Sequence, residues 1–344
     1  MPLDGLSDDG FHQIEALLTA AIGAAAGREA LDDLALPAAL KGDHGPQVSR
    51  ATFAMALNAC LFNGLMARSP TAAAYVAEVR AAGGQVLLDH GALRTVSFAD
   101  NPTGEQPQGH LAFARILEPL GYEVADLYPL EGLKMTGRGY RHRDLPEALP
   151  QFFVSELHVE RFSPSFQAAA RHVFGAIREA LDTTALDALD AFTRDGACEA
   201  GLAAHALPVL AAAFSRWHAA PSLLAYEVLL AESPEAAWIA TEGSAFNHAT
   251  DRVADVEAVA EAQRKLGRPI KETVERSTSG RVRQTAFRAD PVERAFEDDG
   301  KTVHRLVPGS FFEFISRGRL DDGALDLAFD SGNAQGIFRM TTAV

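Results

Sequence analysis

Two stretches of this 344-residue chain read in the same order: strand, helix, then three strands. That recurrence constrains the fold more than any other feature. The first stretch opens with a strand at 85–98, followed by a Gly/Pro-rich loop at 100–104. Phe113, Ile116, Leu117 and Leu120 then form the apolar stripe of a helix that Gly121 closes. Strands are expected at 122–128, 132–141 and 151–160. The second stretch opens with a strand at 244–253, and Asp255 is placed to cap a helix. Val256, Val259, Ala260 and Leu266 make its stripe and Gly267 its end, with strands expected at 268–275, 281–289 and 309–317. The landmarks keep step: Leu120-Gly121 matches Leu266-Gly267, and Gly139-Tyr140-Arg141 matches Ala286-Phe287-Arg288. The spacing predicts an internal duplication of a βαβββ module.

The stretches before and between the modules read as helix. Segments 11–40 and 50–82 are rich in Ala and Leu, with Phe53, Leu57, Cys60 and Leu61 at helical spacing. Between the modules, Ser163-Pro164 is a cap followed by Pro at the first helical position. The stripe Phe166, Ala170, Val173, Phe174, Ile177 and Leu181 follows it, and 202–217 adds another helix; this insertion is expected to pack with the N-terminal helices. The expected class is therefore α+β. Its parts are an N-terminal helical cover (1–84), a first module (85–162), a helical insertion (163–240) and a second module with a C-terminal segment (241–344).

The formal charge of −15 argues against a nucleic-acid or anionic-membrane partner, since both call for basic surface. Two cysteines, Cys60 and Cys198, support neither a disulfide framework nor a cysteine zinc site, which fits a reducing cytoplasm. No secretory leader is expected, because Asp4, Asp8 and Asp9 stand where a basic region would be. No apolar run reaches the ~18–20 residues of a membrane span.

One residue breaks the apolar texture. In 309–317, alternation sends Phe311, Glu313 and Ile315 to one face and Phe312, Phe314 and Ser316 to the other. A carboxylate among aromatic residues is costly unless it is protonated, paired or metal-bound. His90 and His248 open the two modules, and with Glu313 they make the two-histidine, one-carboxylate set of non-haem Fe(II) oxygen chemistry. The two modules would then enclose one metal cavity. Arg94 shares a strand face with His90, ~13 Å along the strand, where it could clamp the far end of a diacid. Glu156 is taken as the pseudo-symmetric counterpart of Glu313, but it shares its face with His158 and Glu160, a polar row poorly suited to a ligand. His110, His142, His172, His205, His218 and His304 lie in polar or helix-surface contexts and read as structural. Serine-hydrolase, P-loop, zincin and dinucleotide motifs are absent, Thr136-Gly137-Arg138-Gly139-Tyr140 stopping short of the last.

At His90-Gly91-Ala92-Leu93-Arg94, Asn247-His248, Arg283-Gln284-Thr285-Ala286-Phe287, Glu313-Phe314 and Gly336-Ile337-Phe338, the chain resembles the 2-oxoadipate dioxygenase/decarboxylase family, of the vicinal oxygen chelate superfamily. The resemblance implies His90, His248 and Glu313 as metal ligands, Arg94 as the substrate-binding arginine, Gln284 in a supporting role, and a further substrate contact at Gly332. It implies Fe(2+) as cofactor, and a 2-oxo acid and O2 as partners, with 2-oxoadipate giving 2-hydroxyglutarate and CO2. A glyoxalase-like lyase, a ring-cleaving dioxygenase and a non-catalytic binder stay open on the same scaffold.

Overall fold

The computed structural model describes residues 10–42, 45–100, 103–330, 336 and 339–341. The N-terminal helices come first: α1 (His12–Ile22) and α2 (Ala24–Asp33), then a short strand β1 (Gln47–Ser49), then α3 (Arg50–Met66) and α4 (Pro70–Ala81). The expected stretches 11–40 and 50–82 are each split. Gly23, with φ of 85° and ψ of 155°, interrupts the first. Ser69 interrupts the second by accepting from the Ala72 amide ahead of Pro70.

The first module is β2 (Leu88–Ser97), α5 (Leu111–Leu117), β3 (Tyr122–Leu130), β4 (Met135–His142) and β5 (Gln151–His158). The insertion holds α6 (Pro164–Phe174), α7 (Thr183–Asp195), β6 (Ala197–Glu199), α8 (Ala200–Ala213), α9 (Leu223–Glu232) and α10 (Pro234–Glu242). The second module is β7 (His248–Arg252), α11 (Val256–Lys265), β8 (Glu275–Arg276), β9 (Val282–Ala286), a hairpin of β10 (Pro291–Asp298) and β11 (Lys301–Pro308), and β12 (Phe311–Arg317).

The modules join in one eight-stranded sheet of order β3-β4-β5-β2-β7-β12-β9-β8. Each half has the same internal pairing, its first strand parallel to its last and the others antiparallel. The halves meet where β2 runs antiparallel to β7. The α+β class and the duplicated module are thus as the sequence predicts. Gly267 follows the cap of α11 at positive φ (73°), whereas α5 already stops at Leu117 and Gly121 (φ 90°) ends the turn after it. The strand expected at 268–275 shrinks to Glu275–Arg276. The hairpin falls outside the expected strands, although its turn is spelled out: Asp299 and Gly300 have φ of 48° and 77°, the two positive values of a type I′ turn.

Alternation along the strands divides the sheet into two faces. Leu93, Phe152, Val154, Phe312 and Phe314 pack with α1, α3, α5, α7 and α8 in the main core. On the opposite face, Val96, Met135 and Leu157 lie under α6, α9 and α10. The insertion therefore splits: α7 and α8 join the N-terminal helices as expected, while α6, α9 and α10 cover the other face. The stripe expected to run through Ile177 and Leu181 ends at Phe174, where Gly175 caps α6 and Asp182 restarts the chain as α7.

One glycine in β2 is demanded by this packing. A Cβ at Gly91 would run into the Phe246 ring on the main-core face. Gly91→Ala is therefore expected to destabilise the fold by about 1–3 kcal/mol through overpacking, measured by urea unfolding; an unchanged midpoint would contradict this packing.

Candidate metal centre

The face of the sheet not taken by the main core holds a cleft lined by His90, Ala92, Phe153, Ser155, Asn247, His248, Gln284, Glu313, Phe329 and Asp330. His90, His248 and Glu313 are buried and each offers an atom lying within 4.8 Å of the other two. Glu313 Oε2 is 3.2 Å from His90 Nε2 and 3.2 Å from His248 Nε2. Two ligands at right angles around an ion with bonds of ~2.1 Å lie about 3 Å apart, so each imidazole is spaced to share a divalent cation with Glu313. The three residues are the only group of this kind among the described residues.

Strand register brings them together. Thr250 pairs with His90 on one side and with Glu313 on the other. Its hydroxyl donates to Glu313 Oε2 (2.8 Å) and lies 3.1 Å from His90 Nε2. The sequence reading overlooks Thr250, although its place two residues after His248 on the same strand face signals it.

The two imidazoles have unlike supports. His90 Nδ1 donates to Asp89 Oδ1 (2.9 Å), leaving Nε2 with its lone pair toward Glu313. Asp89 is fully buried and receives Arg252 (2.6 Å) and the bidentate Arg317 (2.8 Å). Burial alone would raise its carboxyl, but Arg317, His90 and Arg252 hold it well below the usual range. His248 stacks on Phe311 with ring centroids 4.8 Å apart, and its Nδ1 has no hydrogen-bond partner among the described residues. Burial lowers the His248 imidazole; burial also opposes charge on His90, but Asp89 and Glu313 outweigh it and raise that ring. For Glu313, burial would raise the carboxyl, but the imidazoles of His248 and His90 beside it outweigh burial and hold it well below the usual carboxylate range.

Arg94 is fully buried on β2, on the face that carries His90 and Ala92. Its guanidinium carbon is 5.1 Å from the Trp238 ring centroid, and Nη2 donates to Thr341 Oγ1 (3.0 Å). Arg94 does not line the cleft, but its cross-strand partner Ser155 does. Burial lowers its pKa to about 10, so it keeps its charge at neutral pH. Gln284 lines the cleft, while Gly332 lies outside the described residues. Asn247, Phe153, Ser155, Phe329 and Asp330 are lining residues that sequence reasoning does not assign to the site.

Glu156 is not the counterpart of Glu313. His90 pairs with Gln151 and His248 with Phe311; two residues further along, the matching positions are Phe153 and Glu313. The landmark pair agrees, because Gly139 pairs with Phe153 and Ala286 with Glu313. Glu156 points to the other side of β5, where it accepts from the His110 amide and Nδ1 (both 2.8 Å) and from Arg138 (3.3 Å). Burial would raise it, but these partners draw it down to about 2. The duplication thus places a phenylalanine where the second module has its carboxylate.

The sequence profile of the 2-oxoadipate dioxygenase/decarboxylase family matches residues 64–338. The chain belongs to this family. Among solved structures, one of a Ralstonia eutropha JMP134 protein described as of the glyoxalase superfamily is 49% identical, with TM-score 0.89 over 93% of this chain and 99% of that one. The hydroxyglutarate synthase of Oryza sativa, in complex with 2-oxoadipate, is 21% identical with TM-score 0.65 over 87% of this chain and 96% of that one. That of Pseudomonas putida, also with 2-oxoadipate, is 21% identical with TM-score 0.60 over 87% and 74%. At that identity these two show the family's fold. No curated protein sequence matches the chain significantly.

Proposed function

We infer that this member of the family is an Fe(II)-dependent oxygenase. It decarboxylates a 2-oxo diacid of the 2-oxoadipate type to a 2-hydroxy acid one carbon shorter, and consumes O2. The observation that carries this reading is the convergence of His90, His248 and Glu313 in the cleft. Two neutral imidazoles and one carboxylate are the donor set of non-haem Fe(II) oxygenases. Held by these three residues, Fe(II) would supply a redox centre and a template for a chelating 2-oxo acid and O2.

The chain's own groups do the rest. Asp89 keeps the proton on His90 Nδ1, so Nε2 faces the cleft as a lone pair. Phe153 and Phe329 line an apolar wall that limits water around the reacting end. Gln284 and Asn247 offer amides to the substrate's oxygens. Arg94, reached past Ser155, is assigned to the far carboxylate, a fixed cation that sets chain length. Gly332 is assigned a further substrate contact.

Protein reconstituted with Fe2+ under nitrogen and mixed with O2 should consume O2 and release CO2 one for one with 2-oxoadipate. Shorter 2-oxo diacids should show a raised KM, because their far carboxylate falls short of Arg94. Absence of O2 uptake with every dicarboxylic 2-oxo acid would contradict the reading. Turnover on Ni2+ or Zn2+ without O2 would instead mark a glyoxalase-like lyase.

A further inference from the structure

Arg317 lies between the candidate metal centre and the segment that walls it. Its guanidinium is fully buried. Nε and Nη2 donate to Asp89, the support of His90, at 2.8–3.1 Å. Nη1 donates to the carbonyls of Asp326 and Ala328, both at 2.9 Å. The segment so gripped, 326–330, carries the cleft-lining Phe329 and Asp330. The Phe329 ring meets His90 edge-on at 4.9 Å and lies 5.4 Å from the Arg317 guanidinium carbon. Further ties hold the segment down: Gln151 donates to the Leu327 carbonyl, Arg281 to the Asp326 carboxylate, and the Phe329 amide to the Tyr128 hydroxyl.

We propose that Arg317 is a positioning residue that couples metal binding at His90 to the seating of the 326–330 strap. The inference rests on the reading of His90 as a metal ligand. A cation on Nε2 makes the Nδ1–H a stronger donor and tightens its bond to Asp89. Asp89 shares its oxygens among His90, Arg252 and Arg317, so the orientation of the planar Arg317 fork is set there. The other edge of the same fork holds the strap. Lysine, a point charge with no fork, cannot serve both edges at once. Linked equilibria are reciprocal, so a strap that favours the metal is steadied by it to the same factor.

The test uses Zn2+ as a redox-inert probe on the full chain, with calorimetric titration and hydrogen–deuterium exchange over peptides spanning 318–330. In the wild-type protein, Zn2+ should slow exchange at the Asp326, Ala328 and Phe329 amides, all of them bonded within this network. Arg317→Lys should weaken Zn2+ binding by about 10-fold or more and abolish the metal-dependent slowing. The wild-type measurement needs no variant, so it decides the matter even where Arg317→Lys folds poorly. Zinc bound with unaltered strap exchange, or equal affinity and protection in Arg317→Lys, would overturn the coupling while leaving the metal centre standing. No Zn2+ binding by the wild-type protein would take down the metal centre and the coupling with it.

Discussion

Glu313→Ala is expected to abolish stoichiometric metal binding and to cut turnover by more than the ~100-fold that loss of a mere supporting group costs. The physical argument is the shared oxygen. Oε2 of Glu313 stands 3.2 Å from both histidine Nε2 atoms, so removing it takes away the one negative ligand and the vertex common to both pairs. Two neutral imidazoles then remain, without a charge to offset the cation. The fold should survive, because His90 and His248 can stay neutral and no ion is stranded by the change. Metal analysis, turnover and far-UV circular dichroism on the same preparation check all three parts. Glu156→Gln supplies the contrast: it faces away from the cleft and should bind metal as the wild type does. A Glu313→Ala protein that keeps one metal per chain would contradict the assignment of the ligand set.

Asp89→Ala is expected to fail differently, by destabilising the fold. Asp89 is the counter-charge for Arg252 and for the wholly buried Arg317, whose other hydrogen bonds run to backbone carbonyls. Removing one partner of a buried pair leaves a stranded charge, at a cost of about 3–5 kcal/mol. Against a total of ~5–15 kcal/mol for a typical domain, that is a large share. Urea unfolding should show the midpoint falling by a corresponding amount. A loss below about 1 kcal/mol would mean that solvent reaches Arg317 and that the network is not the buried unit described above. The pair of variants separates the roles of the two carboxylates on either side of His90: one removes the metal and keeps the fold, the other weakens the fold.

Local pattern made much of this architecture legible. Period-two alternation assigns the faces of β12 correctly, with Phe312 and Phe314 in the main core and Glu313 toward the cleft. Helix stripes and the two closing glycines reveal the module order. What stayed hidden depends on register and on distance along the chain. Phe153, the true counterpart of Glu313, can be found only once β5 is set against β2; one residue of slip changes the face, and three residues lead to Glu156 on the wrong side. The Asp89–Arg317 pair joins residues 228 apart, and no spacing rule connects them. Arg94 reads as a clamp on the cleft face of β2, but its seat against the Trp238 ring shows only once α10 is packed over the sheet. The β10–β11 hairpin is a different kind of miss. Asp299-Gly300 is a strong turn signal, but the flanking residues, from Glu293 to Arg305, are too polar to show the alternation of a half-buried strand.

The most direct test of the account is a turnover of Fe2+-loaded protein with 2-oxoadipate under 18O2. Atom balance fixes the outcome for an oxygenase that adds O2 and loses one carbon as CO2. One labelled oxygen should appear in the carboxylate formed at the former keto carbon and the other in the new hydroxyl, with the released CO2 unlabelled. Decarboxylation without any label in the organic product, or at an equal rate without O2, would contradict the proposed chemistry.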